Sequence, residues 1–497
     1  MKSSDLISLF EQSLKGINQV PEFSEKGVVL QVGDNICIVQ GLNAAFLGEL
    51  LLFDGGNKGI VFELSYDIVS VFLMYNSIKV SEQEGVLRTG KVFKVPVSSS
   101  LLGRVVDAQV HSIDMNGDIL AQEEREIERE IPSIIERDPI NESLETGILS
   151  IDALIPIGKG QRELIIGSRA TGKTTTLLDI ILHQQNKEVI CVYVAIGQRQ
   201  ANVARFVNIL HENDAMKYSV VVSASAEESV LYKYLAPYVG TTIAEYFRDQ
   251  KKDVLIMYDD LSNHAIAYRE MSLLLRRAPG REAYPGDIFY LHSRLLERAG
   301  KLKTGGSITA LPVVQIQGED IAAYVPTNLI SITDGQLYFD QKLFNNNIRP
   351  AINTELSVSR VGGAAQTNAI KKMTKALRLQ LAQYHELAAF AQFGADLDLI
   401  AQHQLERGKR VIEILKQPQH VTFDFIQQSL QLFLLKEGLL DNIPLPKVTY
   451  FARQFTSYVE SVYPDVVEII KTTKDISDNE RKQLKTIAIE FSTAFST

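Results

Sequence analysis

The chain has 497 residues, a formal net charge of -9, 45% hydrophobic and 22% charged residues, an ordinary globular composition that excludes a disordered or fibrous class and, at roughly 100 to 200 residues per domain, predicts two to four domains. The acidic balance argues against a general affinity for nucleic acid, because proteins that track a phosphate backbone carry basic surfaces. Two cysteines, Cys37 and Cys191, are too few for a disulfide framework or a thiolate metal site, and the eight histidines show no metal-ligand spacing.

Residues 1–25, beginning "MKSSDLISLFEQSLKGINQ", form a short amphipathic leader without the long apolar core of a signal peptide. No run reaches about 18 uncharged apolar residues; even "IVFELSYDIVSVFLMY" is interrupted by Glu63 and Asp67. No direct membrane insertion is expected, and the cytosol is the natural compartment. Residues 26–95 alternate apolar and polar positions in short runs such as "GVVLQVGDNICIVQGL" and "GKVFKVPV", broken by Gly, Asn and Asp, which predicts a small β-barrel. Across 96–370, apolar runs ("ELIIG", "VICVYVAI", "YSVVVSA", "DVLIMYDD") alternate with helical patterns, the mark of an α/β domain with a largely parallel sheet. Within it the charge-dense "AQEEREIEREI" (121–131) reads as a solvated surface segment. From 371 to 497 apolar residues recur at three and four spacing without turn clusters, which predicts a helical bundle.

The stretch "GSRATGKTT" fits G-x-x-x-x-G-K-[ST] and lies between a buried-strand pattern and the helical "TTTLLDIILHQ", the context a P-loop requires. Its residues, Gly167, Ser168, Arg169, Ala170, Thr171, Gly172, Lys173, Thr174 and Thr175, are candidates for ATP or ADP. The glycines let backbone N–H groups turn toward phosphate oxygens at a helix N-terminus. Lys173 reaches the β- and γ-phosphates and the Thr174 hydroxyl is placed for Mg²⁺. Downstream, "DVLIMYDDLS" is an apolar run ending in two acids, the form of a strand whose carboxylate holds the metal directly or through water; Asp259 is the first candidate and Asp260 the second. The fold class expected is an α/β P-loop (RecA-like) nucleotide-binding domain with an N-terminal β-barrel and a C-terminal α-helical bundle.

Longer stretches, "PIGKGQRELIIGSRATGKTT", "VYVAIGQRQ", "YDDLSNHAIAYREMSLLLRRAPGREAYPGDIFYLHSRLLERA", "YVPTNLISITDGQ" and "IRPAINTELSVSRVGGAAQ", resemble the alpha subunits of rotary F-type ATP synthases. The resemblance runs from about residue 26 to the C-terminal helices. It implies a ring of three alpha and three beta subunits around a rotating, gamma-like central stalk, a delta-like peripheral stalk met through the N-terminus, and a place on the inner face of the cell membrane through the complex. In that family the catalytic sites lie at beta interfaces and alpha binds Mg-nucleotide without turning it over.

The residues give a chemical reason. Hydrolysis needs a carboxylate to orient or polarise water near the γ-phosphate, and catalytic beta subunits carry a Glu there in a G-x-G-E context. Here the comparable strand "VICVYVAIGQ" ends in Gln198. An amide is a far poorer proton acceptor, at a cost on the order of 10² to 10⁴ in rate. Arg360, in "SVSRVGGAAQ", matches the arginine that alpha subunits extend into a neighbouring beta site. Read without the resemblance, Gln198 is a polar surface residue and Arg360 a surface or salt-bridged arginine.

By the same resemblance "LFNNNIRPAIN" and "LKQPQH" enclose the adenine and nominate Arg349, Pro350, Gln417 and Gln419, whose plain alternative is loop and helix-end structure. "FGADLDLIAQ" matches a helix-turn facing the central stalk, and its Asp396 and Asp398 read equally as a capping cluster. Several positions depart from the family: Ser168 and Ala170 stand where its loop commonly has Asp and Gln, Gln315 where it usually has Glu, and the barrel keeps the pattern but few family residues. Other readings are a specialised F-type-like motor without the usual proton-translocating sector, a self-sufficient hexameric P-loop ATPase, and a scaffold acting through ring assembly. Gln198 and the acidic balance oppose the second; the intact Lys173, Thr174 and Asp259 oppose the third.

Overall fold

The computed structural model describes residues 25–74, 79–318, 320–392 and 398–495. The expected leader, apart from Glu25, and Asp396 lie outside the described residues.

The chain divides into two compact units. In the first, strands Lys26–Val32, Ile36–Gln40, Glu49–Phe53, Lys58–Leu64, Ile68–Met74 and Gly85–Val92 close an antiparallel barrel, the last pairing the first. Alternation sends Val29, Val39, Leu51, Val69, Val71 and Val86 into a common core, and closure leaves no edge to aggregate. Cys37 is part of that core, where burial pushes its thiol up to about 12; it is a small apolar filler rather than a reactive group.

The second unit is built on a sheet of the order Val358–Ser359, Gly335–Phe339, Glu163–Gly167, Ser307–Gln315, Asp253–Asp259, Val189–Gln198, Ser219–Ser225, Val105–Val106. Its pairs are parallel except at the Val358–Ser359 edge and at the short strand Gly300–Lys301, which pairs back onto Ser307–Gln315. The central strands are buried on both faces, which is why they read as continuous apolar runs. Glu163–Gly167 is followed by the helix Lys173–His183, yet the next long strand, Val189–Gln198, lies three places away with two later strands between them. Ligands collect at the carboxyl ends of strands where the order reverses in this way.

Helices Leu377–Gln392, Leu399–Leu415, Phe425–Lys436, Val448–Val462, Pro464–Thr473 and Asp478–Phe495 come after the sheet. Their apolar faces share one core with the helix Lys173–His183 beside the sheet, running from Leu177 and Ile180 to Val411, Ile414, Phe433, Phe451 and Leu484. Asp398 caps its helix, accepting from the Ala401 N–H at 2.7 Å, and Asp424 forms a capping box with Gln427. The charged segment 121–131 is exposed at most positions, but Ile127 is buried and its carbonyl accepts from Arg298 Nη1 at 2.6 Å. Charge density alone hid this anchor.

Arg298 is itself almost fully buried and bidentate to Glu245, Nε to Oε1 at 3.0 Å and Nη2 to Oε2 at 2.7 Å, with Nη2 also donating to Thr242. Truncating one member strands a buried charge, at about 3–5 kcal/mol. Arg298→Ala is therefore expected to lower the denaturation midpoint followed by circular dichroism. The pair Arg298→Met with Glu245→Leu should recover much of that loss, and an Arg298→Ala midpoint equal to the parent's would refute the assignment.

Candidate functional site

The loop Ser168–Gly172 leaves the end of the strand Glu163–Gly167 and opens the helix Lys173–His183. Gly167 packs on Phe339 so closely that a Cβ would lie 2.6 Å from its carbonyl oxygen. Ala170 and Gly172 take left-handed backbone, φ 61° and 97°, so successive N–H groups turn to one side as an anion cradle. Gly172 bears this without cost; at Ala170 it is strained by roughly 1–2 kcal/mol. The Thr171 hydroxyl ties the loop by donating to the Ser168 carbonyl at 2.9 Å. Lys173 is buried, and its ammonium donates to the carbonyls of Gly167, at 2.8 Å, and Ser168. Burial brings its pKa down to about 8, against the opposing charges of Asp260 and Asp259. The cradle thus faces a cation at the positive end of a helix.

Beside it stands the acidic end of the strand Asp253–Asp259. Asp259 Oδ2 accepts from Thr174 Oγ1 at 2.7 Å and from the Tyr193 hydroxyl at 2.9 Å. Gln198 Nε2 donates to both the Asp259 carbonyl and Oδ1, each at 3.3 Å. Burial raises the Asp259 pKa, while the bonds from Thr174 and Tyr193 oppose it. Asp260 is pushed up to about 7, by burial first and then by the charge of Asp259, and it accepts from the Asn263 N–H at 2.9 Å. A hydroxyl and a carboxylate in contact at the mouth of the cradle are a hard oxygen donor set, which fits Mg²⁺. Asp260 is turned onto the start of the next helix, which leaves Asp259 as the acid in contact with Thr174.

These groups line a cleft of about 680 Å³. It brings together Arg169, Ala170, Thr171, Gly172, Lys173, Thr174 and Thr175 with Gln198, Asp259, Asp260, Arg349, Pro350, Gln417 and Gln419. Gly167 and Ser168 form the root of the loop rather than its wall. At the far end Arg349 lies over the Phe344 ring, 4.4 Å from its centroid. Gln417 is buried and spent on backbone: Oε1 accepts from the Leu149 N–H at 3.1 Å, and Nε2 donates to the carbonyls of Gly147 at 2.8 Å and Val421 at 2.5 Å. It braces the wall, whereas Gln419 is exposed at the rim.

Sequence reasoning missed Asp179, Tyr193 and Phe344. Asp179, on the P-loop helix, lines the cleft and accepts at Oδ1 from the His420 N–H at 2.9 Å, with His420 Nδ1 at 3.0 Å. This clasp ties the loop after the helix Leu399–Leu415 to the P-loop helix. An acid one and a half turns into a P-loop helix was visible in "TTTLLDIILHQ", but nothing in that run names its partner.

Arg360 is not in the cleft. It comes directly after the edge strand Val358–Ser359, whose Ser359 pairs with Gly335, which in turn pairs with Glu163 at the start of the P-loop strand. Arg360 therefore sits at the opposite end of that strand from the cradle. Its N–H donates to the Asp334 carbonyl at 3.0 Å and its Nη1 to that of Thr333 at 3.3 Å, and the residue is exposed.

Comparisons with known proteins agree with this architecture. The family model described as ATP synthase alpha/beta family, nucleotide-binding domain, matches residues 147–359, and that described as ATP synthase alpha/beta chain, C terminal domain, matches 366–491. The chain is 48% identical over 495 residues to a protein of Acetivibrio thermocellus called ATP synthase subunit alpha, covering 99% of this chain and 98% of that one.

The bracing role of Gln417 makes a prediction. Gln417→Ala leaves the buried Leu149 N–H without its partner, at about 1–3 kcal/mol, and takes a donor from the half-buried Val421 carbonyl, while the Gly147 carbonyl keeps the Phe423 N–H. It should weaken ATP and GTP binding alike and lower the melting temperature. Nucleotide titrations with both bases check this. A change in base preference without loss of stability would instead make Gln417 a base-reading residue.

Proposed function

This chain belongs to the ATP synthase alpha/beta family, and from that premise we propose that it is the nucleotide-holding alpha subunit of a rotary F-type ATPase head, binding Mg-ATP or Mg-ADP without turning it over and lending Arg360 to a neighbouring beta subunit. The observation that carries this reading is the placing of Arg360, exposed and at the opposite end of the P-loop strand from the chain's own cleft. An arginine so placed cannot serve the nucleotide its own chain holds; it can serve one bound across an interface.

The chemistry comes from the chain's own residues. The loop N–H groups and Lys173 hold the phosphates, Thr174 and Asp259 the metal, and the wall around Arg349, Pro350 and Gln417 the base, with Gln419 at its rim. Magnesium, if held by Thr174 and Asp259, would supply charge neutralisation at the phosphates. Gln198 occupies the position where a proton acceptor for attacking water would act, and its amide nitrogen is directed at Asp259. Asp259 is itself committed to Thr174 and Tyr193. Of the other acids lining the cleft, Asp260 is turned onto the Asn263 N–H and Asp179 onto His420. Across the interface, the Arg360 guanidinium neutralises charge on the transferring phosphoryl group, a contribution typically worth 10³–10⁵ in rate.

In this reading the partners are beta subunits alternating with alpha in a three-plus-three ring, a gamma-like central stalk, and a delta-like peripheral stalk met through the N-terminus. No nucleic acid enters. The head lies on the cytoplasmic face of the cell membrane through the complex; among the described residues no helix is long and apolar enough to cross a membrane.

The purified chain should bind Mg-ATP yet show negligible turnover until beta is added, and substantial turnover by the chain alone would overturn the reading. In the reconstituted head, Arg360→Ala should lower kcat by about 10³–10⁵ and leave nucleotide binding to this chain's own cleft unchanged. Arg360→Lys should be only partly active, because an ammonium lacks the planar fork.

A further inference from the structure

Tyr193 is a buried tyrosine on the central strand Val189–Gln198 and a hydrogen-bond partner of Asp259. The strand register explains its reach. Ala195 stands opposite Asp259 and Tyr193 opposite Met257 in the same parallel ladder, so all four side chains share one face of the sheet. Ala195 offers only a methyl group beside Asp259, and the longer side chain two residues earlier crosses that space to donate its hydroxyl to Asp259 Oδ2 at 2.9 Å. The ring is held in turn by Phe206, stacked at 3.9 Å between centroids and 15° between planes. The hydroxyl is thus placed by packing rather than by a flexible arm.

Asp259 Oδ2 receives Thr174 and Tyr193 together, while Oδ1 receives Gln198. Two donors on Oδ2, one from the P-loop helix and one from the neighbouring strand, resist rotation about the Cβ–Cγ axis more firmly than the Thr174 bond and the longer 3.3 Å Gln198 bond would without Tyr193. Three donors leave one of the carboxylate's roughly four acceptor positions, on Oδ1, for a further ligand. Outer hydrogen bonds of this kind typically govern metal affinity by 10–100-fold.

We propose that Tyr193 is a positioning residue for the metal end of the nucleotide site: its hydroxyl holds the Asp259 carboxylate in the orientation that Thr174 and a magnesium nucleotide require. The inference rests on the assignment of Thr174 and Asp259 to the metal.

The test is Tyr193→Phe in the full chain, which keeps the ring and its stacking on Phe206 and removes only the hydroxyl. Affinity for a fluorescent ATP analogue is measured with Mg²⁺ and again in excess EDTA, beside Asp259→Asn. The expected result is a loss of about 10–100-fold with Mg²⁺ and an unchanged affinity in EDTA, which also certifies that the variant is folded. An unchanged affinity in Mg²⁺, or an equal loss under both conditions, overturns the proposal and makes Tyr193 a packing residue. If Asp259→Asn binds nucleotide with the parent's response to Mg²⁺, the metal assignment itself falls, a failure distinct from that of Tyr193 alone.

Discussion

The nucleotide site depends on one carboxylate. Asp259 accepts hydrogen bonds from the P-loop helix through Thr174, from the interior of the neighbouring strand through Tyr193, and from that strand's end through Gln198. Each donor comes from a segment far away in sequence, and Thr174 and Tyr193, with the charge of Lys173, hold the acid against the tendency of a buried carboxylate to take up a proton. Burial raises the pKa of Asp259 and these groups counter it. Remove the donors and the acid is a costly buried charge; with them it becomes a fixed oxygen at the mouth of the cradle. On the proposed reading the same bonds bear on the division between holding and cutting a nucleotide: three donors occupy most of the acceptor positions of Asp259, and the side chain that closes the adjoining strand, Gln198, is an amide.

The parts of this site that were legible in the sequence are those where backbone chemistry dictates residue type within a short window. A left-handed turn opening a helix calls for glycine at Gly172, a phosphate calls for Lys173, and a strand that ends in an acid can be read from its apolar run. The barrel and the parallel sheet were legible for the same reason, since alternation and continuous apolar runs report one buried face or two. Gln198 and Arg360 were different. Their residue types are common on surfaces, and only the surrounding stretches, by resemblance, gave them meaning.

What local spacing did not carry were pairings between distant segments. His420 meets Asp179 across 241 positions, Gln417 meets Gly147 across 270 and Tyr193 meets Asp259 across 66. Tyr193 lies in the middle of an apolar strand, where a tyrosine reads as filler, and its hydroxyl acquires a role only through the register that sets Ala195 beside Asp259. Gln417 shows the converse. Resemblance pointed to a residue that lines the same cleft, but its amide is bonded to three backbone groups. It therefore shapes the wall, with both amide hydrogens spent and one Oε1 lone pair given to Leu149.

The P-loop strand joins the two contributions proposed for this chain. At its carboxyl end Gly167 leads into the cradle, pressed against Phe339. At its amino end Arg162 holds Asp334 in a fork, Nη2 to Oδ1 at 2.8 Å and Nε to Oδ2 at 3.1 Å, and the Asp334 carbonyl receives the Arg360 N–H. Gln161 completes the mount, donating to Glu163 at 2.7 Å and to Ser359 at 3.0 Å. A Cβ at Gly335 would lie 2.2 Å from the Val358 carbonyl oxygen and 2.5 Å from the Glu163 carboxylate, so the strand admits only glycine there. A short buried strand is among the stiffest elements a protein can place between two sites, since its hydrogen-bonded neighbours on both sides permit neither bending nor sliding without loss of register. The residues that hold this chain's nucleotide and the arginine it presents outward are therefore set by the same five residues of backbone, and the separation between them is a property of the sheet rather than of any loop.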